Sequence, residues 1–451
     1  MAEPLSVEQL GEYLEAGDWQ ILHAQLDALQ DQDLAELITE LDRSHWVDLF
    51  RTLPRERAAD AFSYFGEDQQ QGIMLDLTDD ERVALLAELS FDDAAAVIHR
   101  LPEDLARDLM SLLPDKDRWV IKSLLAYPVD SAGRRMTPEF IALRSEWTLA
   151  QALDHVREKY EESETVNVAF VTDEDGRLLG VVKLKDLLLG AAKRQVGSLM
   201  RPDVIHVQTR ADQEEAVQLI RRYDLEVLPV VDEREILVGI ITVDDVMDVT
   251  EEETTEDFLR MGSVGVGPLM LNLKDAGMQL LYRKRVGWLL ILILVNLISG
   301  AAIAIYETAI EAVVALVFFL PLVIASGGNA GTQASTLMVR SLATGDVQLR
   351  DWWSLWAKEL LVSVALGLTL GLAIWGAAAW LGGPDVGLAV AIAMVLVVIV
   401  GSMVGLLLPL ILTRLKMDPA TASAPLVTSI ADVGGILVYF GVATAILQLQ
   451  V

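Results

Sequence analysis

The chain has 451 residues and is 53% hydrophobic, yet it carries a formal net charge of −31. From residue 261 onward nine acids balance nine bases, so the whole −31 belongs to the first 260 residues; this is either a soluble acidic domain kept dispersed by its charge or a surface that cations must neutralise, and it argues against nucleic acid and anionic lipid as partners. No cysteine is present, which excludes disulfides, thiolate nucleophiles and Cys-ligated zinc or iron–sulfur sites.

The N-terminus, MAEPLSVEQLGEYLE, is polar and acidic rather than a signal peptide, so the acidic half is expected in the cytoplasm. Residues 5–130 carry a 12-residue period, marked by Leu41-Asp42, Leu53-Pro54, Phe65-Gly66, Leu77-Thr78, Leu89-Ser90, Leu101-Pro102 and Leu113-Pro114. Each pair sets an apolar residue before a helix-starting or helix-breaking one. The period predicts helices of about two turns, paired into 24-residue units of a small all-α solenoid. Asp60, Asp92 and Asp93 fall in these helices, and for each alone a solvated face is the default.

Residues 136–250 hold a second repeat. MTPEFIALRSEWTLAQAL and NVAFVTDEDGRLLGVVKLKDLL are answered by MRPDVIHVQTRADQEEAVQLI and LEVLPVVDEREILVGIITVDDVM. Each copy reads helix, strand, acidic turn, strand, helix. The run Pro229-Val230-Val231-Asp232, then Val238-Gly239-Ile240-Ile241, then Asp244-Asp245 resembles a tandem pair of cystathionine-β-synthase-type (CBS) domains. The resemblance implies an α/β sensor module, often for adenine nucleotides, with a purely structural role as the alternative.

The linker TEEETTEDFLRM, 250–261, predicts a helix. Glu252 with Glu256, and Glu253 with Asp257, stand at i,i+4, where like charges repel. Bound cations or a basic partner surface would relieve them, since the segment offers too few bases; a plain solvated connector is the alternative.

Five apolar stretches then reach the ~20 residues needed to cross a bilayer: 286–306, 312–339, 360–381, 386–412 and 419–447. Arg283, Lys284 and Arg285, then Arg340, Arg350 and Lys358, then Arg414 and Lys416, all fall inside, and Glu307, Glu311 and Asp385 outside, if the N-terminus is cytoplasmic and the C-terminus external. Pro321, Pro409 and Pro425 are expected to interrupt three spans. Span two carries Gly327, Gly328, Asn329, Gly331, Thr332 and Gln333; span five carries Thr421, Ser423, Thr428, Ser429 and Gly434-Gly435. These two polar, glycine-bearing spans are the candidates to line a path, with close helix packing through small residues as the structural alternative.

Asp432 lies near the middle of the last span, with no cation within two helical turns on either side. A carboxylate at that depth costs about 2.5–3.5 kcal/mol on insertion scales and marks a path or a bundle interior. The five histidines all lie outside the membrane half, so soft or borderline metals are poorly served there. The oxygen ligands on offer suit a hard cation such as Mg²⁺, which keeps several waters. One Asp432 from each of two subunits on a twofold axis would hold a hydrated ion. No ATPase motif and no catalytic constellation is present. A CBS-gated transporter of anions or organic solutes would be supported by a base in the spans, and the central apolar segments contain none. A membrane-anchored nucleotide sensor would leave Asp432 unexplained.

Taken in order, the acidic helical domain (1–130), the CBS pair (131–250), the acidic connecting helix (251–275) and the five-span domain (276–451) resemble the MgtE magnesium transporter family over essentially the whole chain. The most specific motifs are PLVIASGGNAGTQASTLMVRSLATGD and DPATASAPLVTSIADVGG. The resemblance implies a homodimeric, Mg²⁺-selective channel of a bacterial-type inner membrane, whose cytosolic domains bind Mg²⁺ and hold the pore closed. It implies Mg²⁺ as both transported and regulatory ion, and ATP or another adenine nucleotide as a ligand of the CBS pair. Asp432 matches the pore aspartate, Asp418 an acid near the cytoplasmic mouth, and Gly327, Gly328 and Asn329 the family's Gly-Gly-Asn. Glu214, Asp224, Asp245, Asp248, Glu253, Glu256 and Asp257 match acidic positions at the sensor and linker interfaces. Asp60 and Asp92 match the helical domain's share. Ala94-Ala95-Ala96 stands where a further acid is expected.

Overall fold

The 12-residue period sets the N-terminal helices one for one. In the computed structural model α1 (Asp31–Thr39), α2 (Arg43–Thr52), α3 (Arg55–Ser63), α4 (Glu67–Asp76), α5 (Asp79–Leu86), α6 (Phe91–Arg100), α7 (Glu103–Leu112) and α8 (Asp115–Leu125) each begin 12 residues after the last. The structure describes residues 25–26, 29–41, 43–264, 277–344, 346–347 and 349–449. The expected repeat before residue 25, Asp42 and the linker's end at 265–275 therefore lie outside the described residues.

Pro54, Gly66, Thr78, Ser90, Pro102 and Pro114 are the N-caps. Thr78 forms a capping box with Glu81, whose carboxylate accepts the Thr78 N–H at 2.8 Å. The apolar residue before each cap turns inward; Leu53, Phe65, Leu77, Leu101 and Leu113 are buried. Alternate helices pack on each other, α1 on α3, α3 on α5, α4 on α6 and α6 on α8. Ion pairs such as Arg57–Asp31 at 3.0 Å and Arg100–Glu67 at 2.8 Å tie these same alternate helices. That is the 24-residue unit of a solenoid. Ala94 and Ala95 sit fully buried in its core, so the residues standing in place of an expected acid serve packing.

The next region holds α9 (Ala132–Arg135) and two equivalent three-stranded sheets. β1 (Ala142–Arg144), β2 (Val168–Thr172) and β3 (Leu178–Lys183) form one; β4 (Val207–Gln208), β5 (Val227–Val231) and β6 (Leu237–Thr242) form the other. In each, the first pairing is parallel and the second antiparallel. The helices are α10 (Leu149–Lys159), α11 (Leu184–Leu189) and α12 (Gln213–Tyr223). The central strands VAFVT and VLPVV are buried along their whole length, as strands covered on both faces are. The acidic turns are structural: Asp173 Oδ1 accepts the N–H groups of Asp175 and Arg177, and Asp232 Oδ1 those of Arg234 and Ile236.

α13 (Val243–Met261) starts where β6 ends, so the linker helix begins seven residues, about two turns, before the predicted start at 250. Asp244 and Asp245 occupy its first turn, where the helix dipole favours anions. The chain divides into two compact units, Met1–Glu251 and Glu252–Val451.

Among the described residues five helices are long and apolar enough to cross a membrane: α14 (Met278–Ala304), α16 (Ala315–Ala343), α17 (Trp352–Gly382), α18 (Pro384–Arg414) and α19 (Ala424–Leu447), with the short α15 (Glu307–Ala312) after the first. Several outrun the apolar stretches because the helix continues past the last apolar residue, through Arg283–Arg285, Lys358 and Arg414. Trp352, Trp353 and Trp356 gather at the start of α17, with the first two rings stacked at 4.1 Å, as aromatic belts do at a bilayer interface. None of the three prolines interrupts its helix. α16 and α18 run on through Pro321 and Pro409, which membrane helices tolerate. Pro425 lies in the first turn of α19, where the missing N–H would have no partner anyway.

Candidate cation sites

α18 is the most enclosed of the five spans, and glycine brings α16 against it. A Cβ on Gly331 would lie 2.7 Å from the Gly401 carbonyl oxygen, and Cβ atoms on Gly401 and Gly405 would run into the carbonyls of Gly327 and Gly331. Only hydrogen at these positions lets the two backbones touch. On this platform α19 crosses α16 at Gly328. The space above Gly328 is taken by Thr428 and Asp432: an added Cβ would sit 3.2 Å from Thr428 Cγ2 and 3.7 Å from Asp432 Oδ1. Gly328, Thr428 and Asp432 thus form one constellation, with Gly327 locked behind it and Asn329 exposed one residue further on.

Among the described residues the Asp432 carboxylate makes no ion pair or hydrogen bond; Thr428 spends its hydroxyl on the Ala424 and Pro425 carbonyls at 3.0 Å. Thr332 Oγ1 is buried without a partner. The helix start is anchored by Ser335, which donates to the Ala422 carbonyl at 3.0 Å.

Asp418 stands in the turn before α19, and its two oxygens have different duties. Oδ1 accepts the Ala420 N–H at 2.7 Å and caps the short turn Pro419–Thr421. Oδ2 pairs with Arg260, which also pairs with Glu256 one turn back along α13. Burial pushes the Asp257 carboxyl up, against the pull of Arg260 and with the push of Glu256.

In Met1–Glu251 a second acidic group assembles. Asp92 and Asp93 come from α6, Asp244 and Asp245 from α13, and Glu164 from the loop before β2. Burial raises Asp92 well above the usual carboxylate range, and Asp245, Asp93 and Glu164 add to it. Burial also takes Glu164 up to about 7 and Asp245 to about 6, the latter despite the Thr242 hydroxyl and N–H it accepts at 2.5 and 3.1 Å. Asp92 Oδ1 is buried with no hydrogen bond at all. A carboxylate oxygen left so, among like charges, is costly unless a cation meets it. Even so, no three acids or histidines among the described residues are arranged as a ready ligand set.

A family model described as MgtE, divalent cation transporter, matches residues 320–442. Models of the MgtE intracellular N domain and of CBS domains match 29–130, and 130–192 with 196–252. The magnesium transporter MgtE of Thermus thermophilus is 40% identical over 451 residues, 99% of this chain and 100% of that one. The chain belongs to the MgtE family.

The MgtE of Bacillus subtilis is 35% identical over 75% of this chain and 74% of its own. Among solved structures, the cytosolic domain of the Mg²⁺ channel MgtE in complex with ATP covers 54% of this chain and 99% of its own at 37% identity and a TM-score of 0.52. The soluble part of a magnesium transporter covers 55% and 97% at 28% identity and 0.51. The MgtE match at 320–442 spans both Gly328 and Asp432.

Several expected cytosolic sites do not meet in one chain. Asp60 has Asp31, Glu56 and Glu88 as charged neighbours, not Asp92. Glu214 and Asp224 stand at opposite ends of α12, about 15 Å apart at 1.5 Å per residue; Asp224 is the left-handed residue that ends the helix. Asp248 is exposed on α13, and Glu253 is half-buried two turns before the end of that helix. Sequence reasoning passed over Glu164 and Arg260, and gave Asp93 and Asp244 no role. Adjacency to Asp92 and Asp245 was the available signal for the last two; nothing local marks Glu164.

Proposed function

We propose that this MgtE-family chain is a Mg²⁺-selective channel of a bacterial-type plasma membrane, closed by Mg²⁺ bound to its acidic cytosolic part and so serving Mg²⁺ homeostasis. In this reading residues 1–130 and 131–250 are sensor domains, 251–275 a connecting helix and 276–451 the transmembrane domain. The N-terminus is cytoplasmic and the C-terminus external. The carrying observation is Asp432, without a counter-charge, beside the bare backbone of Gly328. Two such carboxylates across a homodimer axis would meet a divalent ion through its water shell, as Mg²⁺ prefers. A potential of 100 mV supplies roughly 4.6 kcal/mol for a divalent ion moving inward, enough to drive uptake without a nucleotide-hydrolysing site.

The gate follows from charge. Asp92, Asp93, Glu164, Asp244 and Asp245 repel one another when ionised. Cytosolic Mg²⁺ screens them and favours the state in which they lie close; its loss drives them apart and opens the path. The ATP held by the related cytosolic domain makes adenine nucleotide the ligand to test at the CBS pair. Mg²⁺ uptake into liposomes, with Mg²⁺ on the cytosolic face varied, tests both halves. The expected record is a selective flux that falls as cytosolic Mg²⁺ rises. A flux indifferent to cytosolic Mg²⁺ defeats the sensor; no Mg²⁺ flux defeats the channel.

A further inference from the structure

In Glu252–Val451 the basic side chain of Arg260 has two acidic partners from different elements. Arg260, in the last turn of α13, pairs with Glu256 of that helix and with Asp418 of the turn before α19. The contacts are half-buried, with Arg260 and Asp418 side chains 34% and 29% exposed. Both Asp418 oxygens are engaged, Oδ2 by Arg260 and Oδ1 by the Ala420 N–H. A second bond joins the same two segments three residues on, where Ser263 donates to Ser423 at 2.7 Å. Ser423 is the N-cap of α19, the helix that carries Asp432.

We infer that Arg260 is a tethered cation that occupies the Asp418 carboxylate and pins the end of α13 to the base of α19. Without it Glu256 and Asp418 would face each other as like charges. A divalent ion could bridge the two, but only after displacing the guanidinium. Arg260 is therefore a positioning residue: it supplies inside the chain the positive charge that closure otherwise takes from solution. The inference rests on the reading of Asp418 as an acid at the cytoplasmic mouth.

Two measurements on the full-length chain test it. In liposomes Arg260→Gln is expected to raise the cytosolic Mg²⁺ giving half-inhibition by about two- to fivefold, the range a half-exposed ion pair supplies. The inhibition curve also steepens, because a metal ion replaces the lost charge. Arg260→Lys, which keeps the charge, stays near the parent. The second measurement needs no transport. The chain has no cysteine, so Ser263→Cys with Ser423→Cys places a lone pair of thiols at hydrogen-bonding distance, within reach of a disulfide. Their oxidation in EDTA is expected to slow several-fold when Arg260→Gln is added, and to recover when Mg²⁺ is restored. Unchanged cross-linking in EDTA together with a superimposable inhibition curve overturns the inference and leaves the channel reading standing. A parent chain whose flux ignores cytosolic Mg²⁺ overturns the sensor reading, and the cross-linking still decides the role of Arg260.

Discussion

Asp432 and Asp92 pose the same problem in two solvents. Each is a carboxylate with a bare oxygen, one beside Gly328 in a membrane span and one in a cluster of acids. Asp432→Asn keeps the shape and removes the charge; Mg²⁺ flux is expected to fall at least tenfold while size-exclusion of the detergent-solubilised protein is unchanged. Selective uptake at the parent rate would rule out Asp432 as the ion site.

For the cluster around Asp92 the sign follows from linkage. Glu164 near 7 and Asp245 near 6 hold protons in the folded chain that the unfolded chain has released. The folded state then binds more protons, so stability falls as pH rises from about 4 to about 7 and levels off above. In EDTA the first unfolding transition is expected at higher temperature at pH 5.5 than at pH 7.5. Added Mg²⁺ should raise the pH 7.5 transition more than the pH 5.5 one, because only ionised carboxylates gain from it. Equal shifts at both pH values would speak against metal binding by this cluster.

At the scale of elements, the α16–α18 contact is made by what is missing. Gly401 and Gly405 face carbonyls of α16 with no room for a methyl group. Gly405→Ala is expected to cost about 1–3 kcal/mol through overpacking and to loosen α16, read as a lower thermal transition and reduced flux together. Gly376, which faces open space, takes alanine without loss and serves as the control. The solenoid shows the opposite logic, since each 12-residue step carries its own cap and its own inward apolar residue. Phe62→Ala, at a fully buried position ringed by Phe50 and Phe65, is expected to destabilise by about 3–5 kcal/mol, seen as early proteolysis of the N-terminal helices.

For the whole molecule, the charge division has a functional corollary. The −31 is confined to the residues before 261, so a chain lacking residues 1–251 keeps a neutral membrane half and α14 to α19. Its Mg²⁺ flux is expected to persist and to lose inhibition by cytosolic Mg²⁺. Retained inhibition would place the sensor in the membrane half instead.

The sequence alone determined the repeat, the two CBS copies, the five spans and the oddity of Asp432. In each case the signal is local: a cap every 12 residues, alternation within a strand, an apolar run, a charge where none belongs. Tertiary structure decided which residues meet. Asp60 and Asp92 share a domain and a residue type but have different neighbours. Glu164 joins Asp92 from 72 positions away, and Arg260 reaches Asp418 across 158. Whether Pro425 breaks a helix or starts one depended on where the turn capped by Asp418 placed it. The physical reason is common to all of these. Propensity and hydrophobic period act over a few residues, whereas burial, like-charge repulsion and ion pairing depend on distances that exist only once the chain has folded.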